Sequence, residues 1–442
     1  MKKITILSLL ILFSIFISCS SDEPAKETPI TPVIVTPSAI TITSASSEFL
    51  YSGETLQILG ANFVNKDYPT KIVLNDIEVT PKSLTNTTLQ VVIPENIRTG
   101  NNVLKIQIDK IISPSVAFYA MVKGWNKLEI FGEKDVVNSS VFDESKTLFS
   151  FVDMNISSNS FNGQGVKLSP MKDGYKEQII NASGGTYGSF KMFDEKSGVI
   201  TNTIAAFYSD NSFETHKAVR VDNGFSPEIN GLRIGALYKN SSILTTFYGS
   251  QMYTSDNGLT VVTYNGPTWS LKRTATSTAA RVAMRGFGKS ISDNKYYQLG
   301  LLFDTKKYGN NVYKNVVMES PTGYGDWIVK DTITNAGEAS FYKFIDINKI
   351  YSINFTNKAL IESTDQLKTW KVIKDNVSAF FMRSTTKWYI QSDNKIFVTS
   401  DAGQTWNLEL ELPTGAVVND ISFSNKKIIV SGKKGLLYLK IE

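Results

Sequence analysis

Two eight-residue stretches carry reactive side chains at matched spacing: "TSDAGQTW", Thr399 to Trp406, and "STDQLKTW", Ser363 to Trp370. In the first, Asp401, Gly403 and Thr405 alternate and Trp406 follows at once. A carboxylate beside a hydroxyl and an indole can work as an acid or base, or hold a sugar by hydrogen bonds and stacking. The same residues can build a turn instead. An Asp side chain folds back onto nearby backbone N–H groups, and Gly supplies the positive φ that other residues resist. The single His (His216) and single Cys (Cys19) exclude an intrachain disulfide and a Cys/His metal cluster. No metal or cofactor is expected, while carboxylate chemistry stays open because acidic residues are plentiful.

Repetition favours the turn. "TSDNGLTV" (Thr254–Val261) supplies Asp256 and Gly258 in the same frame, and "SPTGYGDW" (Ser320–Trp327) keeps the frame without the Asp. "YSDNSFET" (Tyr208–Thr215) keeps Ser-Asp and shifts the rest, and "VFDESKTL" (Val141–Leu148) is a weak copy. The flanks repeat as well: "KIYSINFTNKALIESTDQLKTWKVI" aligns with "KWYIQSDNKIFVTSDAGQTWNLEL" as strand, turn, strand, box. Boxes opening at 320, 363 and 399 lie 43 and 36 residues apart. Several strands per unit and a period near 40 indicate a β-propeller over residues 122–442. Roughly 320 residues at about 45 per unit give seven blades, with six or eight also compatible.

The repeated stretch resembles the Asp box (Ser-x-Asp-x-Gly-x-Thr-Trp, the BNR-type repeat) of sialidase-, sortilin- and photosystem-assembly-type propellers. The resemblance implies structural roles for Ser363, Asp365, Thr369, Trp370, Thr399, Asp401, Gly403, Thr405, Trp406, Asp256 and Gly258. In such a box the turn joins two outer strands of a blade and the Trp plugs the space between blades, as Trp327 also would. No catalytic residue is assigned. Of the remaining tryptophans, Trp125, Trp269 and Trp388 are free for other work.

Upstream, residues 38–121 read as short alternating strands ("AITITSAS", "ETLQILGANF", "TKIVLND", "TLQVVIPE", "NVLKIQID") separated by Gly, Asn, Asp and Pro. That pattern and length fit one immunoglobulin-like β-sandwich. "SGETLQILGANF" (Ser52–Phe63), "IPE" (Ile93–Glu95) and "RTGNNVLKIQI" from Arg98 resemble the IPT/TIG family, which implies a spacer or interaction domain. The expected fold is thus all-β throughout.

The first residues, "MKKITILSLLILFSIFISCSSDEP", place two lysines before an apolar run too short to span a bilayer. The run ends at "FISC". This resembles the bacterial lipoprotein box: residues 1–18 would be a signal peptide and Cys19 would carry the lipid, giving a stable membrane anchor. "SSDEP" resembles the Ser-plus-acidic export tag of Bacteroidota-type surface lipoproteins, which implies the outer membrane, at the cell surface or facing the periplasm. The Pro-rich remainder of residues 19–37 reads as a semi-rigid tether.

The formal charge is +5, and +3 without Lys2 and Lys3, too balanced and too evenly spread for a nucleic-acid partner. Between the boxes at 254 and 320 the interval is too long for one unit, so it holds an extra blade or a long loop. Three of the seven arginines fall there, Arg273, Arg281 and Arg285; with Trp269 and Phe287 they form a candidate ligand-binding set. "DTI" at Asp331 to Ile333 offers Thr332 for O-glycosylation. Three functions are compatible. The first is a non-catalytic surface module binding a glycan, peptide or protein partner. The second is a glycoside hydrolase of sialidase-like or glucan-cleaving type, although no Arg-Ile-Pro occurs and Arg233 sits in "GLRIGAL". The third is an assembly factor for outer-membrane proteins.

Overall fold

The computed structural model describes residues 37–155, 162–180, 187–202, 206–218, 220–221, 232–238, 241–246, 251–254, 260–264, 280–304, 313–321, 328–333, 342–354 and 356–442. Over much of 218–333 that description is of the backbone alone. Every regular element among these residues is a β-strand, and no helix among them is long and apolar enough to cross a membrane.

The first domain is a two-sheet sandwich. One sheet orders the strands Thr41–Ala45, Thr55–Ala61, Thr88–Val92 and Ser83–Leu84; the other orders Phe49–Tyr51, Val116–Met121, Gly100–Ile108, Thr70–Leu74 and Ile77–Val79. Alternate residues point inward, and Leu56, Ile58, Leu89, Val91, Ile106 and Phe118 meet in its core. Gly60, in the "GANF" stretch, is required by close approach. A Cβ there would lie 1.9 Å from the Thr41 carbonyl oxygen and 2.7 Å from the buried Phe63 ring.

Beyond residue 122, seven units of four antiparallel strands follow among the described residues: blades 1 to 7, at 135–180, 187–218, 232–264, 280–333, 343–375, 379–411 and 418–441, the third extended by Arg220–Val221, which pairs parallel with its last strand. Blades 1 and 2 share one continuous sheet, joined by the single pair Gly163–Tyr187. Blade 7 draws its fourth strand from far upstream: Gly124–Lys127 pairs antiparallel with Leu437–Ile441 and closes the ring. The first strands of neighbouring blades lie side by side (1–2, 2–3, 3–4, 4–5, 6–7 and 7–1), so they surround the axis. In six of them the pairing register slips, for example at Val136/Asn138, Met284/Gly286 and Val418/Asp420. Such bulges sharpen the twist that a blade needs where it meets the axis.

Sandwich and ring share a core. Phe49, Tyr51 and Met121 pack with Val136, Leu148, Leu168, Ile429 and Leu439 of blades 1 and 7. Phe49 also stacks on Tyr119, with centroids 5.3 Å apart, and tilts against Tyr175 of blade 1 at 5.1 Å. Lys146, from the first turn of blade 1, donates to the Phe49 carbonyl (2.8 Å) and to Glu54 Oε2 (2.6 Å). Beside it Lys427, only 3% exposed, donates to the carbonyls of Phe142 (2.7 Å), Asp143 (3.1 Å) and Ser145 (2.6 Å). Both ammonium groups lie over the Tyr51 ring, at 5.1 and 5.4 Å from its centroid.

Candidate binding site in the central channel

The boxes at 363 and 399 are turns between the third and fourth strands of blades 5 and 6. Thr399 Oγ1 donates to Asp401 Oδ1 (2.6 Å) and accepts the Gly403 N–H (3.0 Å); Asp401 accepts the Thr405 N–H (2.9 Å) and the Thr405 hydroxyl (2.6 Å). Ser363, Asp365 and Thr369 repeat the same bonds at 2.9, 2.9 and 2.6 Å. Hydrogen bonds from Thr369 and the surrounding turn hold Asp365 at a pKa of about 2, and those from Thr399 and Thr405 do the same for Asp401. Trp406 joins the apolar cluster between blades 5 and 6, and Trp370 the one between blades 4 and 5. These carboxylates and indoles are engaged in the scaffold.

Three sequence expectations change here. Blade 2 has the same turn in an unshifted frame: Ser209, Asn211, Phe213 and Thr215 stand in for Ser, Asp, Gly and Thr, and His216 takes the Trp position. Phe213 N–H donates to Ser209 Oγ (2.9 Å) and Thr215 N–H to Asn211 Oδ1 (3.0 Å). Gly is not needed either. The paired positive φ angles are 59° and 90° at Ala402 and Gly403, 59° and 70° at Gln366 and Leu367, and 59° and 60° at Ser212 and Phe213. Leu367 and Phe213 are buried, and burying such a side chain gains about 2 kcal/mol, enough to offset a left-handed cost of about 1–2 kcal/mol. The weak copy at 141–148 is no such turn. It joins the first two strands of blade 1, and Asp143 accepts from Asn425 Nδ2 and the Lys426 N–H of blade 7, both at 2.8 Å.

The two described tryptophans outside the boxes are also engaged. Trp388 is buried and donates to the Ser384 carbonyl (3.1 Å). Trp125 donates to Glu409 (3.1 Å) under the Lys440 ammonium. Cys19, Asp256, Gly258, Trp269, Arg273 and Trp327 lie outside the described residues. Thr332 falls on the strand Ile328–Ile333, paired with Val316. Arg281, Arg285 and Phe287 are not in a loop: the strand Ala280–Lys289 that holds them opens blade 4, with Arg285 at its bulge.

That strand belongs to the inner ring, and the ring carries charge that sequence patterns do not reveal. Lys191 and Lys343 sit at equivalent positions in blades 2 and 5. Each pairs one residue away from the partner of the turn-opening serine: Lys191 with Val199 beside Gly198–Ser209, and Lys343 with Tyr351 beside Ile350–Ser363. Asp420 comes from the first strand of blade 7. Protein packs densely around all three side chains, yet both lysines keep solvent contact. A water-filled axial channel satisfies both observations.

Burial lowers the pKa of Lys191 and Lys343, with Asp420 opposing, and Lys191 further depresses Lys343. Burial raises Asp420, which the two lysines partly offset; Ser422 Oγ donates to its carboxylate at 3.2 Å. Asn side chains tie the ring around this site: Asn138 donates to the Phe190 carbonyl of blade 2 (3.3 Å) and Asn419 to the Val136 carbonyl of blade 1 (3.0 Å). Among the described residues no cluster of His, Cys, Asp and Glu is arranged to hold a metal. The arrangement offers cationic hydrogen-bond donors facing water across an enclosed space. It suits binding.

Residues 40–120 match the IPT/TIG domain. No curated protein matches the chain. Among solved structures, YCF48 bound to a D1 peptide is similar at 14% identity and a TM-score of 0.49, covering 73% of this chain and 98% of that one. A catalytically inactive virginiamycin B lyase from Staphylococcus aureus, with quinupristin, is similar at 10% identity and TM-score 0.47, covering 71% and 98%. An auxiliary nutrient binding protein from Bacteroides thetaiotaomicron is similar at 12% identity and TM-score 0.38, covering 91% and 97%. The chain is all-β and joins an N-terminal IPT/TIG domain to a β-propeller.

Proposed function

We propose that this protein is a lipid-anchored, surface-displayed recognition module whose propeller binds its ligand at the channel without transforming it. The observation that carries the reading is the inner ring: Lys191, Lys343 and Asp420, from the first strands of blades 2, 5 and 7, lie within electrostatic reach of one another, and a repeat fold presents such convergent groups to a ligand. Asp365 and Asp401, the carboxylates with the strongest motif, hold turns away from that axis. Lipid on Cys19 and the Pro-rich tether would fix the chain to the outer membrane, and the sandwich, sharing a core with blades 1 and 7, would hold the ring at a set orientation. The Asp-box kinship of the turns fits a scaffold role for the motif.

Glycan-array binding run beside a glycosidase screen tests this. The expected result is selective binding with no turnover. Hydrolysis of any bound glycan would replace the reading with the hydrolase one, and capture of outer-membrane proteins without glycan binding would favour the assembly role.

A further inference from the structure

If the channel is the binding site, its charge selects a class of ligand, and that selection rests on the recognition-module function proposed above. The seven innermost strands carry six basic residues, Lys191, Arg233, Arg281, Arg285, Lys289 and Lys343, against three acidic ones, Asp135, Asp346 and Asp420. Two of the acids serve strand ends: Asp135 accepts the Lys434 N–H (2.9 Å) and Asp346 accepts the N–H groups of Asn348 and Lys349 (2.7 and 3.0 Å). Blades 3 and 4 open with "LRIGALY" and "ARVAMRGFGK", whose charged residues are all basic. By composition the innermost strands therefore lean basic, in a protein whose charges otherwise nearly cancel.

Lys191 and Lys343 are at the same register level on blades 2 and 5, which are separated by two blades on one side of the ring and three on the other. Neither forms an ion pair among the described residues. Water meets both ammonium groups, but protein crowds them and no carboxylate bonds either among the described residues, so their charged form is only partly compensated. One oxyanion lying between them would supply the rest.

We propose that the channel binds an acidic glycan, with one carboxylate or sulfate group held between Lys191 and Lys343. Asp420 is then the negative element that a ligand must tolerate, and its carboxylate favours a ligand presenting a hydroxyl beside the anionic group. The convergence of basic strands would also draw acidic chains toward the axis faster than neutral ones.

The experiment uses the full chain, purified in detergent, and titrates it with uronate oligosaccharide, sulfated oligosaccharide, neutral oligosaccharide of equal length and poly-glutamate. Binding of one or both acidic sugars is expected, the two arms separating carboxylate from sulfate, with affinity falling as salt rises. Lys343→Met and Lys191→Met should each weaken it about tenfold, Lys343→Arg should restore most of it, and Asp420→Asn should tighten it about threefold. Unchanged affinity in both Met variants, with their melting temperatures retained, would overturn the assignment. So would preference for the neutral sugar, which leaves the binding-module reading standing. Preference for poly-glutamate would overturn the glycan, and no binding in any arm would remove both readings.

Discussion

Lys427 and Lys343 are two answers to the same problem. Protein crowds both lysines and lowers the pKa of each, but Lys427 is sealed from solvent while Lys343 meets water. At the seam Lys427 finds three carbonyl oxygens and the face of Tyr51. In the channel Lys343 has a second lysine for company and Asp420 as its source of attraction. The satisfied cation rigidifies a joint; the unsatisfied one keeps its hydrogen-bonding capacity for something that arrives later. Burial alone does not separate structural from functional charge. Partner count does.

The largest test of that contrast is Lys427→Met. It leaves three carbonyls without their donor at the seam and should lower unfolding stability by about 3 kcal/mol, read from urea denaturation. In the same assay Lys343→Met should leave stability nearly unchanged, since water solvates that ammonium and no carboxylate bonds it among the described residues. A loss as large as that of Lys427→Met would erase the distinction between the two sites. Next comes Lys146→Ala, which removes the partly exposed ion pair with Glu54 and should cost about 1 kcal/mol.

The smallest effect concerns acid. Asp365 and Asp401 titrate near 2 in the fold against 3.8 for the free group. Their folded pKa is depressed, so their contribution is complete above 3.8 and is lost as pH falls toward 2. Thermal melts across that window should flatten slightly in the Asp365→Asn, Asp401→Asn double variant. The channel lysines act with the opposite proton. Their depressed pKa penalises the charged form at neutral pH, and the penalty lifts only as pH rises through the folded value toward 10.5.

Sequence made the turns at 363 and 399 legible because each keeps nearly every atom of the hydrogen-bond set. It misread the turn at 209, where Asn211 replaces the acid, a buried Phe213 takes the Gly position and His216 replaces Trp; the backbone conformation survives when local pattern matching fails. It also took 141–148 for a copy, because Asp143 and Lys146 mimic a turn while serving blade 7 and the sandwich. Lys191 and Lys343 were invisible for a different reason. A single lysine in a short strand reads as a solvent-facing residue, and only the knowledge that its strand is the first of a blade turns that solvent into a channel. Arg281 and Arg285 stand in the interval that sequence leaves open as an extra blade or a long loop, and the blade is what forms there.

The closing pair of the ring also sets an order of events. Gly124 pairs with Ile441, so the joint that completes the circle links positions about 300 residues apart. Contacts so distant in the chain form late, after the blades between them have collapsed. Until then the last strand of blade 7 is an open edge, the kind of surface on which newly made chains cross-pair and aggregate. The strand that covers it is tied directly behind the sandwich, which is made first and can fold while the blades are still emerging. The N-terminal domain thus acts, during biogenesis, as an anchored holder for the clasp.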